Sequence, residues 1–221
     1  YFISSDPLEI DDVGFKQYHE QLVQFQKATP WFFMKEDALR KYDSPSEKNE
    51  QYNPFNMTSD ERLQTTIYFI PQDPIKLHNT MNSVIENILQ QDTTSVVCLL
   101  YPRDRSEVIY HRFKGNTTKS DDDKEYVFQG ASSFSSNKYG DRIVLLPRTS
   151  SRYEFRHLIS LVDVVLDPWP WGGWTTSIQA LCSNVPVITL PGGDARSRFT
   201  YGLYEELNMM SFVAKNVTDY V

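Results

Sequence analysis

The residues best suited to chemistry form one short stretch, Gly172-Gly173-Trp174-Thr175-Thr176. An apolar run over 162–166 leads into it through Asp167-Pro168-Trp169-Pro170-Trp171, and a helix-like segment over 175–182 follows. A helix that starts behind a glycine pair is a place for phosphate. Its first-turn N–H groups have no partner within the helix, and the helix dipole favours negative charge there. Gly172 and Gly173 let a ligand come close to the main chain. Thr175 and Thr176 add two hydroxyls at the same point. They also suit simple helix capping, and the two roles are compatible. The combination points to a held nucleotide.

Other site chemistries find less support. The fingerprints G-x-G-x-x-G, G-x-x-x-x-G-K-[ST] and G-x-S-x-G are absent, which argues against nicotinamide chemistry, ATP hydrolysis and a serine nucleophile elbow. His19, His78, His111 and His157 show no ligand spacing with one another or with cysteine, so no metal site is expected. Cys98 and Cys182 sit in apolar contexts and read as two buried thiols.

The 221 residues are 40% hydrophobic, enough for one large domain or one and a half. A net charge of −7 without a basic stripe argues against nucleic acid as a partner. No apolar run reaches membrane-span length, and no signal-peptide pattern opens the chain. The sequence begins without Met and ends at Tyr220-Val221, so it is expected to be part of a longer protein, truncated at its C-terminus. Sequons at Asn56, Asn116 and Asn216 give weak support to a secretory route.

The elements that must position the loop follow from periodicity. Residues 1–64 read as a connector from a preceding lobe, partly helical, with Phe15, Tyr18, Leu22 and Phe25 on one helix face and a polar linker over 41–56. Residues 65–221 alternate strands and helices. Strands are expected over 65–70, 95–101, 142–146, 162–166, 185–190 and 212–214. Helices are expected over 77–91, 152–161, 175–182 and up to about 207, with Asp194 an N-cap behind a second glycine loop. Residues 114–140 read as a polar insertion. Near-continuous apolar strands between helices predict an α/β fold, a doubly wound parallel sheet covered on both faces. Ligands of such sheets bind beyond the carboxyl ends of the strands. Both glycine loops and the loop over 71–76 lie at those ends.

Residues 162–216 resemble the C-terminal catalytic lobe of the O-GlcNAc transferase and SPINDLY family, glycosyltransferase family 41. The resemblance is carried by Asp163 and Asp167 around Val-Val-Leu, by Gly173-Trp174-Thr175-Thr176, by Ala180-Leu181, by the run from Val185 to Gly192, by Ser197-Arg198 and by Ala214-Lys215-Asn216. It extends back through the strand and loop ending in Lys76, through Asn87-Ile88-Leu89, and to Tyr1-Phe2-Ile3-Ser4-Ser5-Asp6 with Tyr18, Glu20 and Leu22. The 114–139 insertion is the main part it leaves out.

The resemblance implies a Rossmann-like, donor-binding lobe of a two-lobed GT-B enzyme. Such an enzyme moves a sugar from a nucleotide-sugar to Ser or Thr hydroxyls of a protein acceptor. The expected donor is UDP-GlcNAc; SPINDLY-type members use GDP-fucose. The implied mechanism is inverting and metal-independent, with no cofactor beyond the donor, and the implied location is cytoplasmic or nuclear. Lys76 matches the family's diphosphate-contacting lysine, where a fixed ammonium stabilises the charge growing on the leaving group. A lysine at a helix start otherwise opposes the dipole. Thr175 and Thr176 match the family's threonine pair. Arg152 matches a nucleotide-contacting basic residue, and an exposed arginine is the plain alternative. Gln72 is a donor contact from the Lys76 loop. Arg198 steers phosphate or braces a helix.

Two positions depart from the family's pattern. Trp174 stands where many members have His, and it either stacks on the donor or fills a pocket with Trp169 and Trp171. Gln179 stands where many have an acidic residue that accepts from the ribose hydroxyls, and an amide accepts more weakly. A catalytically weak nucleotide-sugar-binding module therefore stays open as an alternative, and so, separately, does another GT-B enzyme such as an epimerase or a glycosyltransferase acting on glycans. The sequence leaves the oligomeric state open.

Overall fold

The computed structural model describes residues 2–10, 18–19, 21–26, 53–73, 76–101, 112 and 139–221. Residues 41–52 of the polar linker, most of the 114–140 insertion, and Phe15 lie outside them. Strands β1 (Phe2–Ser5) and β2 (Leu22–Phe25) pair in parallel, Phe2 opposite Leu22. This corrects the helix expected to end at Phe25. Leu22 and Phe25 have helical spacing, but pairing with β1 satisfies the backbone of this short segment, and tertiary context overrides a spacing signal of that length.

Helix α1 (Ser59–Gln64) follows. Thr58 and Glu61 close a reciprocal capping box at its start. The main sheet then takes β3 (Ile67–Ile70), β4 (Val96–Tyr101), β5 (Ile143–Pro147), β6 (Val164–Leu166) and β7 (Val187–Ile188). All five are parallel, in the order β5-β4-β3-β6-β7. Helices α2 (Thr80–Gln91), α3 (Arg152–Ser160), α4 (Thr175–Cys182), α5 (Phe199–Leu207) and the single turn α6 (Val217–Tyr220) lie between or after the strands.

Alternation along the strands builds two cores. Ile70, Val97 and Leu99 face one side, where Met81, Val84, Ile85, Ile88 and Leu89 of α2 and Tyr220 of α6 cover them. Ile67, Phe69, Cys98, Leu100 and Val165 face the other, under Leu158 and Ile159 of α3, Ala180 of α4 and Tyr204 of α5. Strands buried on both faces read as apolar runs because each successive side chain enters a core.

Charged side chains fix the lower rim. Asp163 accepts from Ile67 N at 2.8 Å and pairs with Arg62 of α1 at 3.0 Å. Arg142 donates to Leu89 O at 2.6 Å, to Ser95 O at 2.8 Å and to Asp92 O. It thereby satisfies carbonyls that the end of α2 leaves without helical partners.

The last strands are shorter than expected. The segment over 185–190 is a strand only at Val187–Ile188, and the strand expected over 212–214 is one bridge between Thr189 and Val213. A 3-10 turn at Met210–Phe212 brings the chain to the sheet only at its end. Cys98 is buried, but Cys182 is exposed at the end of α4, which corrects the expectation of two buried thiols.

Candidate functional site

The sheet order places a switch point between β3 and β6. From β3 the chain runs outward through β4 and β5, then returns to the other side of β3 and continues outward to β7. Loops leaving β3 and β6 separate there, and the gap between them is where such sheets hold ligands. Gln72 and Lys76 come from the loop after β3. The Gly172-Gly173 loop and the start of α4 come from β6.

These residues meet. Gln72 is buried, and its Nε2 donates to Thr176 Oγ1. Lys76 Nζ donates to Gln72 Oε1 at 3.4 Å and to Gly172 O at 3.3 Å, and it lies 5.2 Å from the centre of the Trp171 ring. Partial burial lowers the Lys76 pKa, while Asp167 and Asp73 pull it back up. The ammonium is thus tethered on neutral oxygens and has no carboxylate within salt-bridge distance among the described residues, a state suited to receiving an anion.

The glycines are required by close packing. A Cβ on Gly173 would stand 2.7 Å from Ser177 Oγ and closer still to Gln72 and Thr176, and one on Gly172 would stand 2.9 Å from Asp167 Oδ2. Trp174 occupies the N-cap position of α4 without a side-chain cap. Thr175 and Thr176 are therefore the first two helical residues rather than caps. Thr175 is exposed, and Thr176 is half-buried. Gln179 is half-buried one turn along, on the side of the helix that carries them.

The sequence motif names Asp167 but gives it no role; it is buried, just past the end of β6. Its Oδ1 accepts from Gly173 N, and its Oδ2 accepts from Thr189 Oγ1 at 2.9 Å. Burial pushes its carboxyl up to about 6, against the hydrogen bonds from Gly173, Thr200 and Thr189 and the Lys76 ammonium. An Asp that closes an apolar strand is visible in sequence, but its burial depends on β7 and α5. Sequence reasoning missed Arg148. It pairs with Asp73 and links the loop after β5 to the Lys76 loop.

Arg152 begins α3, exposed, at the end of β5, two strands from the switch point, and among the described residues no hydrogen bond links it to the cluster. Arg198 donates to Pro7 O at 2.9 Å and to Gly192 O at 3.4 Å, and packs over Tyr201, which is a bracing arrangement. Trp174 packs on Phe199, with ring centres 3.8 Å apart, and Trp169 on Tyr220 at 5.1 Å. The three tryptophans therefore do not share one pocket. Trp171 is exposed, flanked by Lys76 and by the Arg196 guanidinium at 5.6 Å. Among the described residues no group of three or more His, Cys, Asp or Glu is placed to hold a metal ion, and no helix is long and apolar enough to cross a membrane.

No family model matches the chain. Over 80 residues, 36% of the chain, it is 31% identical to an Arabidopsis thaliana protein and 34% identical to one from Eustoma exaltatum subsp. russellianum. Both are named "Probable UDP-N-acetylglucosamine--peptide N-acetylglucosaminyltransferase SPINDLY". The match spans 9% of each of those proteins. Among solved structures, a variant of Thermobaculum terrenum O-GlcNAc transferase matches with a TM-score of 0.69 at 19% identity, over 100% of this chain and 35% of that one. The trehalose-6-phosphate synthase OtsA matches with a TM-score of 0.53 at 13% identity, over 90% of this chain and 41% of that one. The five-stranded parallel sheet is thus a Rossmann-like lobe of the GT-B glycosyltransferase type, and the chain is a domain similar to the O-GlcNAc transferases and SPINDLY proteins.

Proposed function

We propose that this chain is the donor-binding lobe of a protein O-glycosyltransferase. It would hold a nucleotide-sugar at the switch point and support transfer of the sugar, GlcNAc from UDP-GlcNAc in the leading reading, to a Ser or Thr hydroxyl. The observation that carries this reading is the meeting of Lys76 with Gly172, Gln72 and Thr176 at an uncapped helix start. The diphosphate would lie against the first-turn amides of α4 and the Lys76 ammonium. The acceptor hydroxyl would attack the anomeric carbon from the opposite side, inverting it. As the anomeric bond breaks, negative charge grows on the diphosphate, and the positioned ammonium lowers that barrier without a metal.

A thermal-shift panel of UDP, GDP, UDP-GlcNAc and GDP-fucose tests the reading. Stabilisation by one nucleotide and its sugar is expected, on the order of 3 kcal/mol at a hundredfold excess over Kd. A chain indifferent to all four would end the proposal.

Two observations favour a second reading, a nucleotide-sugar-binding module of low activity. Trp174 is engaged with Phe199, and the position facing the expected ribose is the amide Gln179. Tight nucleotide binding with no sugar transferred to protein would select it. A positive result with GDP-fucose in place of UDP-GlcNAc would instead reassign the donor.

A further inference from the structure

Asp167 has a buried carboxylate in a position that packing alone does not require. It follows β6 directly at the switch point and joins three segments. Gly173 N binds one oxygen and Thr189, just past β7, binds the other at 2.9 Å. Thr200 of α5 bridges to the same loop, donating to Gly173 O at 3.4 Å and lying 2.8 Å from Ser177 Oγ. On the other side, Gly172 N donates to Arg196 O at 3.0 Å, and Gly172 O accepts from Lys76. The loop that offers its carbonyl to the ammonium is therefore held from beneath by one carboxylate.

We propose that Asp167 is a positioning residue for the donor, its ionised carboxylate holding the Gly172-Gly173 loop so that Gly172, Thr176 and Lys76 face the diphosphate together. The inference rests on the donor reading above. The titratable groups around Asp167 are Lys76, with Asp73 beyond it, from the loop after β3, Tyr204 of α5, and Tyr220 of α6, whose hydroxyl donates to Asp167 O at 3.0 Å. Both tyrosines have raised pKa values and stay neutral as pH falls. Asp167 itself is pushed up to about 6 by burial, so acid removes its charge before that of an ordinary aspartate. A neutral carboxyl is a weaker acceptor for Gly173 N–H.

The test compares the full chain with its Asp167→Asn variant from about pH 5 to about pH 8. In the ligand-free protein the Gly173 amide proton, followed by NMR, is expected to titrate in the wild type and stay flat in the variant. UDP-GlcNAc and GDP-fucose serve as binding probes, because their sugar-linked diphosphates carry no group that titrates in this window. The preferred donor is expected to bind the variant on the order of tenfold more weakly at the alkaline end, as for one weakened charge-assisted hydrogen bond. Variant affinity should be flat with pH, while wild-type affinity falls towards it in acid. Parallel pH profiles overturn the assignment, as does a Gly173 resonance that ignores pH. Tighter binding by the variant overturns it too, since repulsion between carboxylate and diphosphate would then outweigh loop positioning. A wild type that binds neither nucleotide-sugar overturns the donor reading, and donor positioning with it, even where Gly173 titrates.

Discussion

Lys76 carries the strongest chemical claim. Its ammonium lies 3.3 Å from Gly172 O and 3.4 Å from Gln72 Oε1, two neutral acceptors that a diphosphate would outcompete. Lys76→Ala is expected to keep the fold, since the side chain is only half-buried, and to cut turnover about a hundredfold or more, the range for removing one positioned donor to developing charge. Steady-state kinetics with a circular dichroism control check this. If the ammonium takes the place of a divalent cation, as proposed, a strong chelator should leave wild-type turnover unchanged. A chelator-sensitive rate that magnesium restores would reassign the charge stabilisation to a metal. The Gly-Gly-x-Thr-Thr loop could be singled out in sequence because local chemistry marks it, and Lys76 because of the family resemblance. The roles of Asp167 and Arg148 could not be read. Their partners, Thr189 and Asp73, lie on other segments of the chain, and only the folded sheet brings them together.

The elements show the same division. Helix α2 was readable from its apolar stripe, and α4 from the break at the glycines, because both rest on spacing within one segment. Helix α1 was overlooked although Thr58 and Glu61 carry the S/T-x-x-E signal in plain view. Strand β2 was unreadable because its partner lies twenty residues upstream, Leu22 against Phe2. Strand β7 is capped on its outer side by a side chain. Tyr204 is fully buried, and its hydroxyl accepts from Val187 N and donates to Val187 O, both at 2.8 Å. The α5 side chain thus supplies both ladder partners that the outer side of β7 lacks. Tyr204→Phe keeps the ring contact with Phe212 but leaves a buried N–H and C=O without that partner. About 1–3 kcal/mol of stability should be lost, measured by urea unfolding with an unchanged m-value. In the glycine loop, Gly173→Ala forces a Cβ against Gln72, Thr176 and Ser177. Overpacking of this kind costs about 1–3 kcal/mol, and the displaced Gln72 and Thr176 should weaken donor binding in calorimetry by a similar amount.

Across the whole molecule, the parallel sheet was readable as a class, because doubly covered strands leave runs such as Val96-Val97-Cys98-Leu99-Leu100. The strand order was not readable, since nothing in a strand's composition says on which side of β3 it docks. That order puts Asp167 beneath the switch point, and the whole fold bears the consequence. A carboxyl that titrates near 6 when folded, against an ordinary 3.8, favours its protonated form in the native state. Its contribution to stability is complete below the unfolded value and is lost as pH rises through about 6, on the order of 3 kcal/mol for a shift of this size. At neutral pH the buried charge therefore works against folding. Asp167→Asn, close in shape and without the charge, should melt higher than the wild type near neutrality, and the difference should vanish as pH falls to about 4. Melting curves of both proteins across that window decide it. If Asp167 is kept for positioning, the same substitution must raise the melting temperature and weaken the donor complex, because a group retained only for stability would not be a buried carboxylate held at a pH where its charge destabilises the chain.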